Sequence, residues 1–156
     1  MTYLLCLVMG VAAGCRAMTP PAAVAWCSHL GWLKLAGTWL EFLGNIWVRG
    51  ALTLLAVVEY VTDQLPTTPS RTVPVQFGAR VVTGAFAGAA IAAGVGPNES
   101  AIVGAVAGVI GAVIGTLGGR MLRGKLAAAF KNDHPAAFIE DGVVLLLVVL
   151  VGVALR

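Results

Sequence analysis

The sequence predicts an all-α membrane protein with five or six short transmembrane helices, and its composition is the main reason. Of the 156 residues, 59% are hydrophobic and only 11% are charged, whereas a soluble domain is typically about 25% charged. The mean hydropathy is +0.93. Since a full crossing takes roughly 20 residues, we expect a single membrane domain over residues 1–156.

The first predicted element is an apolar segment over residues 3–31 that is interrupted near Arg16. Thr19 is a favourable N-cap, and Pro20 follows it at the first helical position, so a second helix is expected to begin there. Each piece is too short to span a bilayer comfortably. The sequence leaves two alternatives open, which are two short crossings or the two halves of one discontinuous helix.

Residues 33–45 combine tryptophans with isolated charges. This mixture is typical of the membrane–water interface, so the segment is predicted to form an interfacial or re-entrant helix. A linker rich in proline, threonine and serine is predicted at 66–76. Apolar stretches predict further transmembrane helices at 46–65, 77–94, 101–118 and 136–155.

Basic residues predict the orientation of these helices. The 119–135 loop carries four Lys or Arg residues, and the 66–80 segment carries Arg71 and Arg80. Both lie on the same side of the 77–118 hairpin, and the positive-inside rule makes that side cytoplasmic. We therefore expect a multi-pass protein of an inner membrane with its C-terminus outside. No basic stripe indicates a nucleic-acid partner.

Glycines recur at spacings of three and four in two of the predicted helices. On a helix this spacing forms a narrow stripe that lets backbones approach closely inside a membrane. The partner helix could belong to the same chain or to another copy, and we expect a homo-oligomer formed through these faces. The glycines predicted to pack helices are Gly84, Gly88, Gly104, Gly108, Gly111 and Gly115.

Acidic residues inside two apolar stretches are the strongest indication of a site. A carboxylate in a membrane segment costs roughly 2.5–3.5 kcal/mol on insertion scales, so such residues mark a functional site by default. Glu59 and Asp63 are four residues apart and share one helical face. Glu140 and Asp141 are adjacent, and we expect only one of them to face the same interior. Candidate cationic partners are Arg16, Arg71 and Arg80.

Three functions are compatible with these charges. The favoured one is transport or permeation of a small solute or cation, in which Glu59, Asp63 and Glu140 bind a cation or protons. The second is a structural network of Arg–carboxylate pairs. The third is a membrane enzyme in which the same three carboxylates hold a divalent metal against a phosphate-bearing lipid. The shared-site hypothesis predicts that Glu59 and Glu140 lie close together.

Four stretches of the chain resemble the DUF4126 family of small bacterial integral membrane proteins. They are GVAAGCRAMTPPAAVA, VVEYVTDQLPTTPSRTVP, FGARVVTGAFAG and AAFIEDGVVL. The resemblance implies a location in a bacterial inner membrane and little about chemistry. Gln64 stands where the family usually has lysine. The matching positions that it marks as a functional or structural core are Arg16, Glu59, Asp63, Pro66, Arg80, Glu140 and Asp141.

Overall fold

The computed structural model describes residues 1–63, 73–131 and 133–156, the side chain of Asp133 excepted. Across these ranges the chain is all-α, as predicted, with one additional 3-10 helix at Glu41–Gly44. The α-helices are α1 (Thr2–Cys15), α2 (Thr19–His29), α3 (Ile46–Thr62), α4 (Pro74–Val95), α5 (Ala101–Phe130) and α6 (Asp133–Leu155).

Helices α1 and α2 form an antiparallel hairpin rather than one discontinuous helix. The start of α1 lies beside the α4–α5 turn, where the Ser100 backbone N–H donates to the Tyr3 hydroxyl at 3.0 Å. The segment that follows α2 returns to this same end, where the Lys34 backbone N–H donates to the Gly94 carbonyl at 2.9 Å. Two prolines, Pro20 and Pro21, lack N–H donors, so α1 cannot continue through them.

The six helices therefore alternate in direction. Helices α1, α3 and α5 run toward one end of the molecule, where Arg16, Asp63 and Asp141 meet, and we call this the charged end. Helices α2, α4 and α6 run back toward the opposite end, which holds Trp32 beside Gly152. We call that end the tryptophan end. Both termini of the chain lie toward it.

Three helices, α1, α4 and α5, form a core held together by glycine contacts. A Cβ added at Gly108 would lie 2.1 Å from the Gly84 carbonyl oxygen, and one at Gly10 would lie 2.2 Å from that of Gly108. These separations leave no room for any side chain. The predicted glycines thus pack helices of the same chain, and Gly10 and Gly14 of α1, which were not predicted, take part with the same spacing of four.

The outward surface is apolar, whereas several charged residues are buried. On α6 alone the exposed side chains include Leu146 at 58% and Val153 at 60%. Helices α4, α5 and α6 are long and apolar enough to cross a membrane, and α1 is a shorter apolar helix. This distribution is compatible with a membrane protein.

Two predicted elements differ from the structure. The 33–45 segment forms turns and the short 3-10 helix rather than a longer helix, because Gly31 and Gly37 adopt positive φ values of 74° and 77° that interrupt helical geometry. Helix α5 continues to Phe130, well past the predicted end at residue 118, and ends at Lys131 with a left-handed φ of 53°.

Part of the predicted linker is helical, since Pro74 already begins α4. Residues 66–72 of that linker, with Pro66 and Arg71, lie outside the described residues, as does Gln64.

Candidate functional site at the charged end

Arg16 is the centre of the charged end. It follows α1 in an extended conformation, with φ at −138°, and it is fully buried. Its Nε donates to Asp141 Oδ1 of α6 at 2.8 Å, and its Nη2 contacts the same oxygen. Its Nη1 meets Asp63 Oδ2, which follows α3, as an ion pair without the angular geometry of a hydrogen bond. One guanidinium therefore joins three separate parts of the chain.

Tyr60 adds a third contact to this guanidinium. The Arg16 Cζ lies 4.9 Å from the centre of the Tyr60 ring, within the range of a cation–π interaction. The Tyr60 hydroxyl also accepts from Thr19 Oγ1 at 3.4 Å. Sequence reasoning missed Tyr60, although its spacing of three residues from Asp63 puts the two on the same helical face.

Glu59 of α3 accepts hydrogen bonds from two backbone amides just before α2. Its Oε1 accepts the Ala17 backbone N–H at 2.7 Å, and its Oε2 accepts that of Met18 at 2.8 Å. The predicted N-cap, Thr19, instead forms the first residue of α2 and makes no side-chain cap. A carboxylate at this position is stabilised by the positive end of the helix dipole.

Arg80 of α4 donates hydrogen bonds to backbone carbonyls at the end of α1, on the other side of the same turn. Its Nη1 donates to the Gly14 carbonyl at 3.0 Å and also to the Cys15 carbonyl. These are carbonyls of the last turn of α1, which has no further helical N–H to pair with them. Thr116 of α5 donates to the Gly14 carbonyl as well, at 3.1 Å. Residues of α3, α4 and α5 thus fix the α1–α2 turn.

Arg123 of α5 extends the network to Glu140. Its Nη1 lies 3.7 Å from Glu140 Oε2 and 3.9 Å from Asp63 Oδ2. The sequence placed Arg123 in a basic loop, so its role was missed. The continuation of α5 past residue 118 is what brings this side chain to the site.

The structure brings the predicted site residues to one end of the molecule. Glu59 and Glu140 both lie at the charged end. Glu59 binds the backbone beside Arg16, and Arg123 lies near both Asp63 and Glu140. The expectation that only one of Glu140 and Asp141 faces the interior is wrong, since they are 6% and 8% exposed respectively. Both are buried because they have cations on different sides: Asp141 contacts Arg16, and Glu140 contacts Arg123.

The predicted metal ligands are used differently in this arrangement. Glu59 accepts two backbone amides, and Asp63 pairs with Arg16. In the parts of the chain that the structure describes, no three His, Cys, Asp or Glu side chains are grouped so that they could hold a metal ion.

The four carboxylates, Arg16, Arg80 and the α1–α2 turn coincide with the sequence stretches that carry the family resemblance. No curated protein and no solved structure matches the chain. A family model described as a domain of unknown function, DUF4126, matches residues 4–154. This match covers nearly the whole chain, which therefore belongs to the DUF4126 family.

Proposed function

We propose that this protein is a small membrane transport protein that passes a proton, a cation or another small solute through its charged end. The observation that carries the proposal is the buried Arg16, which is shared by carboxylates of two different helices, Asp63 after α3 and Asp141 in α6. A link of this kind can open when either carboxylate is protonated or binds a cation.

The energetic cost of the network supports a role beyond packing. Buried ion pairs seldom stabilise a protein more than well-packed apolar residues of similar volume, because each charge loses its hydration. Ionisable residues inside membrane segments are accordingly rare and mark ion or substrate pathways. In a chain with only 11% charged residues, these charges are concentrated at one end of the molecule.

The packing of the helices supports a moving part. Helices α1, α4 and α5 contact one another backbone to backbone through glycines, whereas α3 packs mainly on α2. The charged contacts of Glu59 and Asp63 therefore tie the end of α3 to the α1–α2 turn. We propose that α3 and α6 shift against the glycine-packed core when the carboxylates are neutralised, which would expose the site alternately to the two sides.

The geometry of the α1–α2 turn resembles the sites of transporters with broken helices. In such proteins, helix N-termini bind anionic groups and the C-terminal ends of helices bind cations. In this protein Glu59 lies on the N-terminal amides of α2, and Arg80 lies on the C-terminal carbonyls of α1. Both positions are held by the protein's own side chains, which a solute would displace.

A flux measurement tests the proposal. Liposomes that contain the purified protein are loaded with a pH-sensitive dye, and a proton gradient is applied first. Na⁺ and K⁺ gradients are then applied in the presence of a protonophore, so that cation flux appears as a change of internal pH. We expect wild-type flux above that of protein-free liposomes, and Asp141→Asn to lower it at least tenfold because Arg16 loses one of its two carboxylate partners. The matched control is Lys125→Gln, which removes an exposed charge of α5.

A structural network is the second candidate, and the capping contacts of Glu59 and Arg80 favour it. It predicts that wild-type liposomes show no flux with any of these ions, while Asp141→Asn unfolds at lower temperature. Flux that is unchanged in Asp141→Asn would also contradict transport through this site. The lipid-enzyme hypothesis has no metal-ligand group among the described residues to support it.

We further propose that the protein crosses a bacterial inner membrane several times with its charged end in the cytoplasm. The basic residues of this end support that orientation through the positive-inside rule. They include Arg120, Arg123, Lys125 and Lys131. Its C-terminus would then lie outside. A homo-oligomer remains a prediction, and its interface would have to use surfaces other than the glycines already buried within the chain.

A further inference from the structure

A second buried cation lies away from the charged end. Arg49 is in the first turns of α3 and is only 8% exposed. Its Nη1 is enclosed and has no hydrogen-bond partner among the described residues. Burying a charged group without a partner carries a large desolvation penalty. The position of Arg49 therefore suggests that an anionic group completes its surroundings.

The surroundings of Arg49 are organised by Trp26 of α2. The Arg49 Cζ lies 4.7 Å from the centre of the Trp26 ring. The Trp26 Nε1 donates to Thr53 Oγ1 at 3.1 Å, and this hydroxyl donates to the Arg49 carbonyl at 2.8 Å. These hydrogen bonds fix the Trp26 ring, and the contact with this ring restricts the guanidinium, which lowers the entropy lost when a ligand binds.

Arg49 lines an apolar surface groove of about 470 Å³ that runs along α3, with Trp26 of α2 at its side. Beyond the arginine the groove follows α3 past Gly50 and Leu54 to Val57. At 1.5 Å per residue, Arg49 and Val57 are about 12 Å apart along the helix axis. Gly50 leaves open space, because a Cβ added there would meet no atom within 4 Å. A cation at one end of an apolar groove matches an amphiphile with an anionic head.

The depth of Arg49 matches the headgroup region of a membrane. It lies one turn inside the start of α3, next to Trp47, whose side chain is 82% exposed. Exposed tryptophans concentrate at the membrane–water interface. Further along α3, the apolar side chains of Leu54 and Val57 are 64% and 53% exposed. The phosphate of a lipid would therefore reach Arg49 while its acyl chain follows the groove.

We propose that Arg49 and this groove form a binding site for a phospholipid, with the phosphate on the guanidinium and one acyl chain along α3 beside Trp26. The site is independent of the transport proposal and requires only that α3 lies in a membrane.

Thermal unfolding of the full-length protein in detergent tests this site. The Tm is followed while phosphatidylglycerol is added, and an apparent affinity is taken from the rise in Tm, since a ligand of the folded state stabilises it by mass action. We expect Arg49→Gln to weaken that affinity about tenfold or more, the effect of losing a hydrogen bond to a charged group. We expect Lys34→Gln, an exposed charge at the tryptophan end, to remain within about twofold of wild type.

Gly50→Leu provides a second variant that keeps the arginine and fills the groove. We expect it to fold, because of the open space at Gly50, and to weaken phosphatidylglycerol binding to a similar extent. If Arg49→Gln fails to fold, this variant alone decides the question. Wild-type affinity in either folded variant would overturn the proposal.

Two further additives distinguish the chemistry of the ligand. Diacylglycerol with the same acyl chains lacks the phosphate, and sodium phosphate lacks the chains. We expect neither to raise the Tm as phosphatidylglycerol does. Equal stabilisation by diacylglycerol would make the groove a purely apolar site, and equal stabilisation by phosphate would make Arg49 a free-anion site. Either result contradicts the lipid assignment.

Discussion

At the scale of single residues, Arg16 connects several groups of the charged end. It pairs with Asp63 and Asp141 and also lies over the Tyr60 ring. A planar guanidinium supplies several donors in fixed directions and stacks on an aromatic ring, whereas an ammonium group is a compact point charge. The geometry at this position therefore requires arginine and not simply a positive charge.

We expect Arg16→Gln to lower the free energy of unfolding by about 3–5 kcal/mol, because it removes the cation that the buried Asp141 and the partly buried Asp63 share. Arg16→Lys should recover only part of this loss, since one ammonium cannot reproduce both ion pairs and the ring contact. Thermal unfolding in detergent measures both effects. Lys125→Gln serves as the control, and an Arg16→Lys variant as stable as wild type would mean that a positive charge alone suffices at this position.

Much of this site could be predicted at the residue level, because charges in an apolar helix stand out in the sequence. The spacing of Glu59 and Asp63 predicted a common face, and both lie at the α1–α2 turn. Their partners were harder to predict. Glu59 binds backbone amides, which nearly every residue carries, and Arg123 depends on how far α5 extends. Neither contact can be recognised from the local sequence.

At the scale of helices, glycine determines which elements form the core. Gly84, Gly88, Gly104 and Gly108 place α4 against α5, while Gly10, Gly111 and Gly115 place α1 against α5. Lipid chains are as apolar as leucine, so close backbone contact replaces the hydrophobic effect as the source of helix association.

We expect Gly108→Ala to destabilise the protein by about 1–3 kcal/mol or more, the range for overpacked cores, because the new Cβ would lie 2.1 Å from the Gly84 carbonyl oxygen. Gly118→Ala is the matched control on the same helix, since a Cβ there meets no atom within 4 Å. That control should gain up to about 1 kcal/mol from helix propensity. Chemical or thermal unfolding in detergent compares the two, and an equally stable Gly108→Ala variant would contradict this packing.

The predictions for helices were correct where a regular sequence pattern defined the helix. They were wrong where contacts or local backbone geometry determined how far a helix extends. Glycine spacing predicted the packing faces. The tryptophan-rich segment at 33–45 looked helical from composition, yet Gly37 turns left-handed and Lys34 bonds to the end of α4. The predicted end of α5 at residue 118 is too early, because the helix continues through Gly118 and Gly119.

At the scale of the whole molecule, several charged residues are buried and much of the surface is apolar, the reverse of a soluble protein. Arg16, Arg80, Glu140 and Asp141 are buried, whereas leucines and valines form much of the surface. The alternating helix directions bring both termini to the tryptophan end. Composition alone predicted the apolar surface, but it could not choose between a hairpin and a discontinuous helix for α1 and α2.

The proposed orientation predicts which ends of the molecule react with a membrane-impermeant thiol reagent. In a background with Cys6, Cys15 and Cys27 replaced by Ala, Asn98→Cys places a thiol in the turn between α4 and α5. It should react in intact cells. Lys125→Cys, on the charged end, should react only after the membrane is permeabilised. The reverse pattern would contradict the orientation, and reaction of both in intact cells would contradict a closed crossing by α5.

The wide separation of Arg16 and Asp141 in the sequence has a consequence for biogenesis. Their contact joins residues 125 positions apart, so the ribosome completes the first helix long before it makes this second carboxylate partner of the arginine that follows. At about 5–20 residues per second, that delay is on the order of ten seconds. Asp63 is made earlier and can pair with the arginine first, so the nascent protein holds only one of the two carboxylate partners of Arg16 until α6 is made, and a chain shortened before α6 would lack the second.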